Sequence, residues 1–142
     1  DLERIGDEAA KVAKQAVRLS EAGKSPSSFI EIRHIGTRVA DMLRQSLDAF
    51  ARLDVDQAVE VVKGDVEVDK EYGSAMRSLV TFMMEDPRDI GAILNEMWAL
   101  RSLERIGDHA SNIAEHVVYL VRGLDVRHQD SIEDYIEQVN EQ

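Results

Sequence analysis

The chain has 142 residues, contains no cysteine and carries a formal net charge of −11 at pH 7. This length suits one modest domain with the edge of a second, and the lack of cysteine excludes disulfides, thiolate metal ligands and a cysteine nucleophile. The acidic balance argues against direct contact with nucleic acid or anionic lipid. No apolar run approaches the roughly 20 residues of a transmembrane helix, and nothing resembles a signal peptide, so we expect a cytoplasmic protein.

Apolar residues recur at helical spacing along the chain, which predicts an all-α protein. The first helix is expected over residues 2–22, the second from 27 or 28 to 53, and the third from about 54–56 to 85. Asp86 is a natural N-cap and Pro87 a natural first-turn residue, so a fourth helix should start there and end at Gly123. A short terminal helix is expected from Ser131 to about Val139.

Six residues, LERIGD, occur twice, at Leu2–Asp7 and at Leu103–Asp108. Each copy contains a glycine within a predicted helix, where a helix former would be about 1 kcal/mol better. We interpret the repeat as an internal duplication that repeats a site as well as a fold. More than a dozen helical residues precede the second copy and only Asp1 precedes the first, so we expect the chain to begin inside a helix and to be a fragment.

The duplication divides the chain into three parts. Residues 1–22 are predicted to be the last helix of a truncated first three-helix repeat. Residues 27–125 should form a second repeat, a three-helix antiparallel bundle, and residues 126–142 a tail with the short helix. The expected fold is therefore all-α, a complete bundle beside one helix of an incomplete preceding bundle.

Carboxylates interrupt the apolar faces of the third and fourth helices. The tight turn at Asp86 and Pro87 should fold these two helices back antiparallel, because short helix connections give antiparallel neighbours. Facing residues should then have numbers that sum to 173, as Met76 and Met97 do. Apolar residues face apolar ones in this register, and acids face acids: Asp65 with Asp108, and Asp69 with Glu104.

Four carboxylates at one level of a helix hairpin repel one another. They must be protonated, bridged by arginine or bound to cations. Oxygen ligands in this number suit Mg, Mn or Fe, with Zn less favoured, and four negative charges would neutralise two or more divalent ions. Glu3 and Asp7 of the first hexapeptide would be half of an equivalent second site.

Arginine pairing is the alternative to metal. Arg4 and Arg105 lie three residues before Asp7 and Asp108, and Arg101 lies three before Glu104, which is an ordinary ion-pair spacing on a helix. These arginines would support or replace a cation. Glu31 and His34 form a Glu-x-x-His, the spacing of di-iron carboxylate bundles, but a single copy favours a structural or surface histidine.

The duplicated LERIGD, the facing acid pairs, the run Met84-Glu85-Asp86-Pro87-Arg88 and the run from Trp98 to Ala110 resemble the PhoU family of phosphate-transport regulators. The resemblance covers the whole chain, although the family's chain is longer and consists of two similar three-helix bundles. It implies that Asp65, Asp69, Glu104 and Asp108 form one multinuclear metal cluster, and that Glu3 and Asp7 are half of another.

The resemblance also implies a regulatory role without catalysis. Proteins of this family act at the cytoplasmic face of the phosphate ABC transporter, connect it to a membrane sensor kinase and repress phosphate-starvation genes. They meet the membrane only through these partners and are commonly homodimers or larger assemblies. Two alternatives stay open from the residues alone: a carboxylate-bridged metal oxidase of ferritin-like type, and a purely structural helical module whose acids are paired by arginine.

Overall fold

A computed structural model describes residues 1–22 and 29–123, with only the backbone of Phe29. It contains α1 (Leu2–Glu21), α2 (Phe29–Arg52), α3 (Val55–Glu85) and α4 (Ile90–Arg122). No strand occurs among these residues, and the prediction of an all-α fold is confirmed. The residues that follow the expected end of the first helix at 22, and the expected helix from Ser131 to Val139, lie outside the described residues. None of the described helices is both long enough and apolar enough to cross a membrane.

Short connections join the last three helices, and a side-chain cap marks the start of α3 and the start of the turn that leads into α4. Leu53 ends α2 in the left-handed region with φ of 54°, and the Asp54 carboxylate accepts a hydrogen bond from Gln57 N at 3.0 Å to start α3. Asp86 accepts from Arg88 N at 3.0 Å and precedes a 3₁₀ turn at Pro87–Asp89. The fourth helix thus begins three residues later than the sequence predicts, because Pro87 opens a 3₁₀ turn rather than the α-helix itself.

Helices α2, α3 and α4 pack against one another as a three-helix bundle. A Cβ added at Gly64 of α3 would lie 3.8 Å from Met42, and Arg38 binds Glu71 at 2.9 Å, so residue numbers rise on α2 as they fall on α3. Helices α3 and α4 are antiparallel as well, since Gly107 lies against Asp65 and Val68. It follows that α2 and α4 run parallel.

Helix α4 is the centre of the described structure, and each of the other three helices packs against it. Its buried positions lie all around the helix and many are small, which lets neighbouring backbones approach closely. These small buried residues are Ala99, Ser102, Gly107, Ala110, Ser111 and Ala114. Helix α1 covers one side of α4 with a stripe at 3–4 spacing, Ile5, Glu8, Val12, Gln15 and Leu19.

Helices α1 and α4 are antiparallel, and they meet through equivalent residues of the duplicated segment. Asp1 Oδ1 lies 2.9 Å from His109 Nδ1, and the Glu8 carboxylate is hydrogen-bonded by Ser102. The duplication maps Asp1 onto Ser102 and Glu8 onto His109. The two contacts therefore join the same pair of equivalent positions, once with α1 contributing the first position and once with α4 contributing it. This reciprocal pattern is that of an isologous interface.

Three apolar residues that continue the inward-facing period of α3 and α4 toward the hairpin tip are exposed. Val80, Ile90 and Leu94 retain 46%, 37% and 36% of their accessible surface. They lie near the hairpin tip, whereas the pairing of Arg38 with Glu71 and the approach of Gly64 to Met42 place Phe29, the first described residue of α2, opposite residues 77–80. The tip therefore extends beyond the described part of α2.

Candidate metal centre

The carboxylate cluster forms where the middle of α3 faces the second LERIGD copy on α4. Asp69, Glu104 and Asp108 each offer an oxygen, and these three atoms lie within 4.8 Å of one another. Asp65 stands one helical turn from Asp69 and is close enough for Asp108, Asp69 and Glu104 all to act on its charge. The four acids predicted to face one another across the hairpin are thus together at one level.

Gly107 gives the cluster its compactness. A Cβ at this position would lie 3.3 Å from Asp65 Oδ1 and 3.7 Å from both Val39 and Val68. A contact of 3.3 Å is tighter than packed side chains normally tolerate, so the bare glycine lets the Asp65 carboxylate rest against α4. The close approach of Asp65 to α4 explains why a glycine stands at position 107, although glycine is a poor helix former.

Two carboxylate oxygens of the cluster are buried without a hydrogen-bond partner, Asp65 Oδ1 and Glu104 Oε2. Glu104 is only 8% exposed, and its other oxygen, Oε1, accepts from Arg101 Nη1 at 2.7 Å. Ser111 hydrogen-bonds the carboxyl of Asp65. Buried polar atoms are nearly always satisfied, so the two unpartnered oxygens are directly suited to a cation.

Burial and mutual repulsion act in the same direction on these acids. Burial, with the charges of Asp108 and Asp69, raises the pKa of Asp65 to about 7. Burial and the charge of Asp108 raise the pKa of Glu104 above its ordinary value. Burial and the charge of Asp69 do the same for Asp108. A divalent ion would reverse these shifts by supplying the positive charge that the site lacks.

The arginines behave differently from one another. Arg101 pairs with Glu104 as its spacing predicts, and its guanidinium lies 5.9 Å from the centre of the Tyr72 ring. Arg105 instead forms its ion pair with Glu8, Nε to Oε1 at 3.6 Å. Pairing of Arg105 with Asp108, the alternative that their spacing allows, is not found; the guanidinium binds Glu8, which is buried between α1 and α4.

Glu3 and Asp7 lie on the exposed face of α1, away from the cluster on α4. Arg4 is exposed beside them, and among the described residues it makes no ion pair within 4 Å. No described atom of another element lies within 4 Å of a Cβ added at Gly6, in contrast to Gly107. The first motif copy thus presents its acids and its glycine without a facing helix in the described part of the chain.

The histidines take up contacts elsewhere. His34 Nδ1 lies 3.0 Å from Glu71 Oε2 on the exposed side of α2 and α3, consistent with a surface histidine. His109 contacts Asp1, and His116 Nε2 lies 3.7 Å from Asp1 Oδ2. The described residues therefore hold a cluster whose ligand atoms are carboxylate oxygens.

Sequence reasoning missed the part played by Glu8. Its position was readable, since Glu8 lies between Ile5 and Val12 in a 3–4 stripe and must be buried wherever that stripe packs. What the sequence does not state is which helix receives the stripe. The structure shows that Ser102 and Arg105 of α4 do.

Comparison with known proteins agrees with the geometry of the bundle. A family model described as the PhoU domain matches residues 32–117. The phosphate-specific transport system accessory protein PhoU homolog of Pseudomonas aeruginosa is 63% identical over 128 residues, covering 90% of this chain and 53% of that protein. The corresponding Escherichia coli K12 protein, named PhoU, is 42% identical over 128 residues, with the same two coverages.

A solved structure is similar as well. The crystal structure of PhoU from Pseudomonas aeruginosa aligns with a TM-score of 0.86 at 62% identity, covering 87% of this chain and 59% of that one. The chain spans about half the length of the curated relatives it matches.

Proposed function

The chain belongs to the PhoU family, and from this we propose that it takes part in the regulation of phosphate uptake and phosphate-starvation signalling. In this proposal it couples the phosphate ABC transporter to a membrane sensor kinase and acts as a negative regulator in the cytoplasm. The observation that carries the proposal is the 63% identity to a protein named for the phosphate-specific transport system. Its role is to bind partners, and no chemical step is assigned to it.

We propose further that Asp65, Asp69, Glu104 and Asp108 bind metal. Three facts support this: ligand oxygens of three of the acids lie within 4.8 Å, the buried Glu104 Oε2 and Asp65 Oδ1 have no partner, and Gly107 leaves room for the closest carboxylate. An all-oxygen donor set favours Mn, Fe or Mg over Zn. The number of acids suits more than one ion.

A bound metal would supply positive charge, and residues of this chain would position its carboxylate ligands. Arg101 orients Glu104 by binding one oxygen and leaving the other for the ion. Ser111 holds Asp65. Because the acids come from both α3 and α4, a bound ion ties the hairpin together and makes its stability depend on metal.

We also propose that α1 is the last helix of one repeat and that residues 27–125 form another, followed by a tail at 126–142. The reciprocal contacts of Asp1 with His109 and of Glu8 with Ser102, which join equivalent positions of the repeat, support this division. Glu3 and Asp7 would then be half of a second metal site, whose facing helix would come from the first repeat. A homodimer is the proposed assembly, as the family resemblance implies.

Binding to the transporter tests the regulatory role. The purified chain should bind the ATPase subunit of the phosphate transporter in biolayer interferometry, and should not bind the ATPase subunit of an unrelated ABC importer. In cells, its expression should restore repression of a phosphate-starvation reporter in a strain without the endogenous regulator. Absence of both binding and repression would overturn the proposal.

A further inference from the structure

Glu8 is a buried anion at the contact between α1 and α4. It is 5% exposed, Lys11 Nζ donates to its Oε1 at 2.8 Å, and Arg105 Nε lies 3.6 Å from the same oxygen. Burial alone would raise the pKa of Glu8, but hydrogen bonds from Lys11 and Ser102 outweigh it and lower the pKa. Glu8 is therefore charged at neutral pH and needs its cationic neighbours.

Arg105 stands between this anion and the carboxylate cluster. It follows Glu104 directly and precedes Asp108 by three residues, and its charge partly opposes the rise in pKa that burial and the neighbouring acids cause in both. Its ion pair is nevertheless with Glu8 on the other helix. The guanidinium thus has acids on two helices within reach, and in the described structure it pairs with Glu8 of α1 and not with the cluster.

We propose that Glu8 is a positioning residue that holds Arg105 away from the carboxylate cluster and so keeps the cluster open to metal. This inference rests on the proposed metal binding. Without the negative charge of Glu8, the nearest acid at ion-pair spacing is Asp108 on the same helix. An arginine bound there would occupy a ligand and place a second positive charge beside that of Arg101.

The consequence is that docking of α1 sets the metal affinity of a site to which α1 contributes no ligand. Glu8 acts through Ser102 and Arg105, which flank Glu104 on α4 by two residues and by one. If α1 shifts on α4, Arg105 is released toward the acids and the affinity falls. By linkage, metal at the cluster favours the docked position of α1.

Isothermal titration of metal-free protein with Mn²⁺ tests the inference with Glu8→Gln, Arg105→Gln and the double variant. Glu8→Gln should weaken Mn²⁺ binding about tenfold, the scale of a coupling between contacting residues. Arg105→Gln should bind at least as tightly as the unmodified chain, and the double variant should match Arg105→Gln. Glu60→Gln, at an exposed glutamate paired with Lys63 at 2.8 Å, is the matched control and should change nothing.

Recovery of Mn²⁺ affinity in the double variant separates a positioning role of Glu8 from a role in packing α1 against α4. If the double variant stays as weak as Glu8→Gln, the loss comes from a disturbed α1–α4 contact and the inference is overturned. Unchanged affinity in Glu8→Gln also overturns it. If Glu8→Gln fails to fold, Arg105→Gln still decides, since weaker binding in that variant contradicts the inference. Failure of the unmodified chain to bind any Mn²⁺ would instead remove the proposed metal site itself.

Discussion

Asp65 Oδ1 lies against the bare Cα of Gly107, at the position where any other residue would place its side chain. An added Cβ would be 3.3 Å from this oxygen. The oxygen is buried and has no hydrogen-bond partner. The glycine of the second LERIGD copy and the unpartnered carboxylate oxygen on the facing helix thus lie together between α3 and α4, at the place where we propose that a cation binds.

The two LERIGD glycines provide a matched pair of substitutions. Gly6→Ala should raise the free energy of unfolding by up to about 1 kcal/mol, because alanine favours the helix and no described residue packed against α1 lies within 4 Å of the new Cβ. Gly107→Ala should bring little or no such gain and should weaken Mn²⁺ binding, because its Cβ crowds Asp65. Urea unfolding and calorimetric titration measure the two effects. Equal stabilisation by both, with metal affinity unchanged, would contradict the role given to Gly107.

Stability of the metal-free protein should fall as the pH rises from about 4 to about 7. The Asp65 carboxyl has an ordinary pKa of 3.8 in the unfolded chain and a pKa of about 7 in the folded one. The folded state binds more protons between these values, so the free energy of unfolding declines across that window and levels off above it. For a partly buried carboxyl the loss is on the order of a few kcal/mol.

Asp65→Asn isolates this effect. The variant should flatten the decline and be more stable than the unmodified chain at pH 7.5 in chelator. Asp48→Asn, at an exposed position on α2, is the control and should retain the decline. Mn²⁺ at pH 7.5 should restore stability to the unmodified chain. Thermal midpoints measured from pH 4 to 8 report these outcomes, and a midpoint that rises with pH in metal-free protein would contradict the account.

Arg101 and Arg44 make ion pairs of the same spacing in different surroundings. Arg101 binds Glu104, which is buried, whereas Arg44 binds Asp41 at 2.8 Å with 71% of its side chain exposed. Arg101→Gln should cost the metal-free protein about 1–3 kcal/mol at pH 7.5, because it leaves a buried charge unpaired. Arg44→Gln should change stability by less than about 1 kcal/mol.

Metal should compensate for the loss of Arg101 and not for the loss of Arg44. Urea unfolding in chelator and in saturating Mn²⁺ gives the four values required. If the two variants lose the same small amount of unfolding free energy in both conditions, then Arg101 and Glu104 form an ordinary surface ion pair, and Glu104 does not need a positive charge to offset its burial.

Because α4 packs against all three other described helices, we expect it to tolerate larger side chains poorly at its buried positions. Ala114 is fully buried, so Ala114→Leu should destabilise the protein by about 1–3 kcal/mol through overpacking. Ala40→Leu on the exposed side of α2 should change stability by less than about 0.5 kcal/mol. Thermal unfolding in chelator compares them. A similar, small effect at both positions would mean that α4 is not enclosed as described.

Much of the fold was predictable because local signals and helix pairing agree. Asp54 and Asp86 mark helix starts by capping, and the turn at Asp86 sets the antiparallel register of α3 and α4, which brings the four acids together. The partner of Arg105 was not predictable, since it depends on how α1 packs on α4. Helical spacing places Arg105 near Asp108, but only the tertiary contact brings Glu8 within 3.6 Å.

The hairpin tip shows the same limit. The apolar period that elsewhere marks the core includes three exposed residues, Val80, Ile90 and Leu94. Periodicity predicts which face of a helix is apolar, but it does not predict whether another element covers that face. The repeat of LERIGD, by contrast, was visible in the sequence, while the reciprocal contact between α1 and α4 required the coordinates of both helices.

The account depends most on whether the carboxylate cluster holds metal. Elemental analysis by mass spectrometry should be made on protein purified without chelator or histidine tag, beside an Asp69→Ala/Glu104→Ala double variant. We predict stoichiometric Fe, Mn, Mg or Zn in the unmodified chain and its loss in the variant. A metal-free chain that takes up no divalent ion on reloading would contradict the account and leave a bundle whose acids are balanced by protons and arginine.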